Sequence, residues 1–120
     1  MLTAIKTRIE TDRFDETLHF YAKVLGLQII REWNGEGDTG AILGLTDVDA
    51  DGFLEIASVL GKTGLTGTCL QFRTDNLDDF LTKLAGVYEH SKPDEKPWSS
   101  TYVYLTDPAG NRVIVFAGDV

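Results

Sequence analysis

An α+β fold made of two βαβββ modules is what this sequence predicts, and three observations carry the prediction. The first is an internal repeat. Ile9 to Glu16 aligns with Phe72 to Asp79, which sets Asp12 on Asp75 at an offset of 63 residues, and the same offset carries Leu18 onto Leu81, Ala22 onto Ala85 and Val24 onto Val87. A shared Thr-Asp corner before a shared apolar stripe implies one strand-to-helix turn built twice. The second is the closing stretch TYVYLTDPAGNRVIVF, Thr101 to Phe116. Pro108 fixes its own φ, and Gly110 or Asn111 accepts a positive one. Asp107 to Asn111 is therefore a turn, and its β-branched and aromatic flanks are the strands of a hairpin. The third is alternation near the start, where Ile5, Thr7, Ile9 and Thr11 interleave with Lys6, Arg8 and Glu10 as in a strand with one apolar face.

The remaining elements follow in order. Asp12 has the chemistry of a helix N-cap, with Asp15 and Glu16 in the first turn where negative charge suits the dipole. Phe14, Leu18, Tyr21 and Leu25 form a helical stripe that Gly26 ends. Leu27 to Trp33 is predicted as a strand, Gly35 to Asp38 as a turn, and Ala41 to Leu45 and Phe53 to Val59 as two more strands. Asp47 to Gly52 is an acidic turn that lacks the ligand spacing and closing glutamate of a calcium loop. Gly61 to Gly67 is a connector with no lysine-plus-threonine ending after the gap that a phosphate loop needs. After the second helix, Tyr88 to Ser91 is predicted as a short strand and Lys92 to Pro97 as a loop. The expectation is one domain over residues 1–120, with module 1 at about 1–60, a linker at about 61–67 and module 2 at about 68–120. Two curved sheets, each with one face left over from its helix, can enclose a cleft for a small molecule.

Composition narrows the function. A net charge of −8 offers no basic stripe for phosphates, so nucleic acid is not an expected partner. No apolar run reaches the roughly 20 residues of a membrane span. The alternation of residues 1–10 is not that of a signal peptide, and the single Cys69 suits a reducing compartment, so the expected location is cytoplasmic.

With both halves on the page, the chain resembles the vicinal oxygen chelate superfamily, which includes glyoxalase I, extradiol dioxygenases and bleomycin-resistance proteins. The resemblance rests on Phe20-Tyr21 before Val24-Leu25-Gly26-Leu27, on Phe53-Leu54-Glu55-Ile56, on Pro97-Trp98 and on Asp107-Pro108-Ala109-Gly110-Asn111. It implies the glyoxalase/bleomycin resistance fold, a homodimer and, in the enzymes, a divalent metal held on the cleft face. The four positions that the resemblance assigns to metal ligands are Lys6, Glu55, Cys69 and Ile114 here. Only Glu55 offers an oxygen ligand, lysine repels a cation and isoleucine has no donor, so no metal and no cofactor are expected. His19, expected to face solvent, and His90, in the other module, do not replace the missing ligands.

Strand parity assigns Lys6, Arg8, Phe53, Glu55, Cys69, Gln71, Arg73, Ile114 and Phe116 to the cleft face. Lys6 and Glu55 have two readings there, as a mutual ion pair or as ligand contacts. Trp33, Trp98, Tyr102 and Tyr104 are candidates for stacking on a planar ligand, or for core or interface. Cys69 lacks a histidine at a predictable distance and reads as a small semi-buried thiol. The expected function is metal-independent binding of a small molecule, sequestering an aromatic or cationic compound. The alternative is a metal-dependent lyase, isomerase or dioxygenase acting on a small oxygenated substrate.

Overall fold

The computed structural model describes residues 1, 4–45, 52–62 and 69–119, so the acidic turn and the glycine-rich connector lie largely outside the described residues. The chain divides into two units, Met1–Leu65 and Thr66–Val120. In the first, β1 (Ile5–Thr11), α1 (Phe14–His19), β2 (Gln28–Gly35), β3 (Asp38–Gly44) and β4 (Gly52–Ser58) form a βαβββ unit. Its sheet has the order β1-β4-β3-β2, parallel between β1 and β4 and antiparallel elsewhere. In the second, β5 (Cys69–Arg73), α2 (Leu77–Leu84), β6 (Asp94–Lys96), β7 (Ser100–Thr106) and β8 (Arg112–Gly118) repeat that topology as β5-β8-β7-β6. The fold is α+β with two four-stranded mixed sheets, as the repeat predicts.

Each sheet buries one face because its strands alternate. In unit 1, Ile9, Ala41, Leu43, Leu54 and Ile56 are buried, as are Phe20 and Tyr21 from the helical segment. In unit 2, Val103, Leu105, Val113 and Val115 are buried, with Leu84 from α2. The residues between them along each strand belong to the opposite face, where the polar and aromatic candidates stand.

Three local expectations are corrected. The corner before α1 is capped differently: Asp12 is not the N-cap, and the Thr11 hydroxyl accepts the Arg13 N–H at 3.0 Å. In the second copy the Thr74 hydroxyl accepts the Asn76 N–H at 3.3 Å, and Asn76 caps α2 through its side chain. The threonine of the repeated Thr-Asp pair therefore closes both corners, because its hydroxyl reaches a backbone N–H two residues on. The helix predicted through Leu25 is α-helical only to His19 and continues as a wider turn, Phe20–Val24, in which the Leu25 N–H donates to the Phe20 carbonyl at 2.9 Å. That five-residue bond lets adjacent Phe20 and Tyr21 both point inward, at 1% and 0% exposure, with rings edge to face. Gly26 ends the segment as predicted, with φ at +80°.

The third correction is β6. Tyr88 to Ser91 is not a strand, and the strand lies at Asp94–Lys96, within the predicted loop. Ser91 donates its N–H to the Tyr104 carbonyl, but its hydroxyl, rather than a backbone carbonyl, takes the Tyr104 N–H, and the ladder stops there. Pro93 and Pro97, which cannot donate, bracket the three residues that do pair with β7.

Candidate functional site

On unit 1 the polar face is organised by Glu55. Parallel pairing sets Lys6 beside Phe53 and Arg8 beside Glu55, while β3 sets Ile42 on the far side of Glu55. The carboxylate is 8% exposed, and each oxygen has a cation: Lys6 Nζ at 3.0 Å on Oε1, and an Arg8 guanidinium N–H on Oε2. The hydrogen bond from Lys6, then that from Arg8, holds the Glu55 carboxyl below its ordinary range against the opposing effect of burial. The same pairing raises Arg8. Trp33 stands on this face over Gly40, where a Cβ would lie 2.7 Å from its Cε2 atom, so glycine is what admits the indole. Its N–H donates to Asp38 at 2.9 Å and Arg31 lies over its ring, which fixes Trp33 within its own hairpin.

The Glu55 pairs carry a pH dependence. A depressed carboxylate adds stability above its unfolded pKa and loses it as pH falls through the lower folded value. Thermal melts of wild type and Glu55→Gln should therefore show the wild-type advantage at pH 6 shrinking as pH falls below about 4.5. An advantage unchanged down to pH 3 would mean that the pairs add nothing.

Unit 2 repeats the rung with other chemistry. Gln71 pairs with Ile114 where Arg8 pairs with Glu55, and Arg73 pairs with Phe116. Across β7, Tyr104 faces Ile114 and Tyr102 faces Phe116. Tyr102 is the hub of an aromatic cluster, with ring centroids 5.7 Å from Phe116, 6.0 Å from Trp98 and 6.1 Å from Tyr104. Trp98 is 53% exposed and Phe116 is buried. Lys96 Nζ lies within about 6 Å of the Trp98, Tyr102 and Tyr104 rings, and the Arg112 guanidinium is 4.7 Å from the Tyr104 ring centroid. Asp94 accepts from Lys96 at 2.7 Å and from the Tyr104 hydroxyl at 3.0 Å, which lowers Asp94 and pushes Lys96 up to about 12. Cys69 is half-buried, with its thiol 3.8 Å from the Leu70 carbonyl oxygen.

Beside Tyr104 opens a cavity of about 620 Å³ lined by Val87, Tyr88, Glu89, His90, Ser91, Tyr104 and Thr106. Its wall is the segment that did not become a strand. The Tyr88 hydroxyl donates to the Thr106 carbonyl at 2.5 Å, and His90 Nδ1 donates to the Tyr88 carbonyl at 2.9 Å, which ties that segment to the free edge of β7.

The sequence profile of the Glyoxalase/Bleomycin resistance protein/Dioxygenase superfamily matches residues 6–115. The chain belongs to that superfamily. Among solved structures, an antibiotic-binding protein from Streptomyces sp. CB03234 is 16% identical with a TM-score of 0.75, over 99% of this chain and 98% of that one. A lactoylglutathione lyase from Agrobacterium tumefaciens is 22% identical with a TM-score of 0.72, over 97% and 93%. Glyoxalase I from Leishmania major is 17% identical with a TM-score of 0.75, over 98% and 87%. At these identities the likeness is one of fold. No curated protein matches the sequence.

A divalent metal, which the resemblance implies for the superfamily's enzymes, does not fit the residues present. Glu55 already has a cation on each oxygen, and the other three positions hold an ammonium, a thiol and an alkyl chain. Among the described residues no three histidine, cysteine or carboxylate side chains cluster to hold one. His19 is exposed, as expected. The sequence reading missed Asp94, Lys96 and Arg112, which dress the aromatic cluster. Two of them lie in the segment predicted as a loop, although a lysine two residues before Trp98 is a visible signal.

Proposed function

We propose that this superfamily member binds a small planar molecule without a metal, at the aromatic cluster of unit 2 and the cavity beside Tyr104. The observation that carries the reading is the union of Trp98, Tyr102, Tyr104 and Phe116 with a cavity whose volume is that of a small-molecule site. Trp98 is 53% exposed and meets Tyr102 edge to face, an aromatic pair that a planar ligand would extend. The antibiotic-binding likeness from Streptomyces supports the same reading at the level of fold. Cys69, Gln71 and Ile114 belong to the same strand face of unit 2, while Lys6, Arg8, Phe53 and Glu55 form a separate candidate surface on unit 1, where Trp33 is secondary because its N–H is engaged. A homodimer in the cytoplasm is part of the proposal: β2 is a sheet edge whose Ile29 and Ile30 are exposed, a surface that a second copy would cover. Sedimentation velocity reads that state directly, and a monomer at micromolar concentration would remove it.

Differential scanning fluorimetry against bleomycin-type and other aromatic antibiotics, with naphthamide as a neutral planar probe, tests the binding. The expected result is a raised melting temperature in wild type and about fivefold weaker probe binding in Trp98→Ala, the worth of one lost aromatic pair. No shift with any compound would overturn the reading. So would a stoichiometric metal in protein purified after supplementation and lost on Glu55→Ala, which would favour a metal-dependent enzyme.

A further inference from the structure

We infer that the molecule bound at the unit 2 face is an aromatic anion, with its carboxylate or phenolate held by Arg112; this rests on the function proposed above and narrows its ligand class. The starting point is charge. The chain carries −8, yet among the described residues the strand positions of this face of unit 2 gather Arg73, Lys96 and Arg112 against the carboxylate of Asp94. Counting Glu89 on the cavity wall still leaves an excess of cation. The acidic excess of the chain lies elsewhere, and screening over about 8 Å in physiological salt lets local groups dominate a bound ligand.

Among these cations Arg112 stands apart. Lys96 is engaged by Asp94, but among the described residues no carboxylate lies within ion-pair distance of Arg112. Its guanidinium lies over the ring of Tyr104, which lines the cavity, and its strand position is directly opposite Thr106, which lines it too. A guanidinium without a carboxylate partner keeps its N–H fork for a ligand, and that fork takes a carboxylate in two parallel bonds. Arg73, likewise without a carboxylate partner among the described residues, sits opposite Phe116 on the other side of the cluster. A cationic ligand at these rings would meet the charges of Lys96 and Arg112, which already lie over Trp98, Tyr102 and Tyr104 and would repel it. Of the two ligand classes that the sequence left open, aromatic or cationic, the surface favours the first and opposes the second.

The test is a matched series of naphthoate, naphthamide and naphthylmethylammonium, titrated by calorimetry into wild type, Arg112→Gln and Arg112→Lys at about 0.15 M salt. Wild type should bind naphthoate about tenfold more tightly than naphthamide, and the ammonium least, because a charge-assisted pair exceeds a neutral hydrogen bond. In Arg112→Gln that preference should fall to near unity, and Arg112→Lys, which keeps the charge and loses the fork, should restore only part of it. Circular dichroism melts within a few degrees of wild type show that both variants are folded. If naphthamide matches naphthoate in wild type, or the ammonium binds best, the anion inference falls while aromatic binding stands. If none of the three binds, both fall.

Discussion

Replacing Asp107 with alanine is expected to lower the unfolding free energy by about 3 kcal/mol, the largest loss we expect from removing one polar side chain here. Its carboxylate is 3% exposed and accepts twice from Asn111, from the backbone N–H at 2.7 Å and from Nδ2 at 2.8 Å. Asn111 is itself 2% exposed, so truncation strands two buried donors. The backbone of the same turn is closed by Asp107 N–H to the Asn111 carbonyl and Gly110 N–H to the Asp107 carbonyl. Asp107→Asn should recover less than half of the loss, since its one amide oxygen can serve only one of the two donors and its NH₂ faces the other. Urea denaturation with an unchanged m-value measures the difference, and the melting temperature should fall by roughly 10 °C. A loss below about 1 kcal/mol would mean that the turn is held by its backbone bonds alone.

Gly118→Ala is the second large effect, expected at about 2–4 kcal/mol. Gly118 has φ at +111°, and a Cβ there would be driven against the Ser99 carbonyl oxygen and lie 2.9 Å from Ser100 Cα. Both obstacles are backbone, so no side chain can swing aside. The consequence reaches the proposed site, because Ser99, itself at φ +64°, is the residue that turns Trp98 back toward Tyr102. In a Trp33→Phe background, Gly118→Ala should therefore shift the emission of Trp98 as well as the midpoint of unfolding. Ser99→Gly, which relieves a left-handed serine, should stay within about 1 kcal/mol of wild type. Wild-type emission in Gly118→Ala would uncouple the end of β8 from the position of Trp98.

Much of this was legible because it is local or periodic. The offset between Asp12 and Asp75 predicted two copies of one topology, and the structure pairs β1 with β4 and β5 with β8 in the same parallel sense. Strand parity was enough to group Lys6, Arg8, Phe53 and Glu55 on one face, and Gln71, Ile114 and Phe116 on another, since side chains alternate whatever lies across the sheet. The turn from Asp107 to Asn111 was readable from residue chemistry alone, with Gly110 found at φ +92°. Where the sequence failed, the deciding partner was distant along the chain. Asp94–Lys96 became a strand because Ser100 to Tyr102 offered an edge, and Tyr88 to Ser91 lost its place there when the Ser91 hydroxyl displaced a backbone acceptor. Phe20 and Tyr21 widened their helical turn because two adjacent rings had to reach one core, a demand that no helical period expresses.

The sequence by itself determined the superfamily and the doubled topology, because these follow from residue identity and short-range geometry. Only the tertiary structure decided which charges meet. Glu55 takes both Lys6 and Arg8, Lys96 takes Asp94, and Arg112 lies over the Tyr104 ring without a carboxylate partner among the described residues. Electrostatic pairing depends on distances of a few ångströms between strands far apart in sequence, and that is information a linear chain carries only once it has folded.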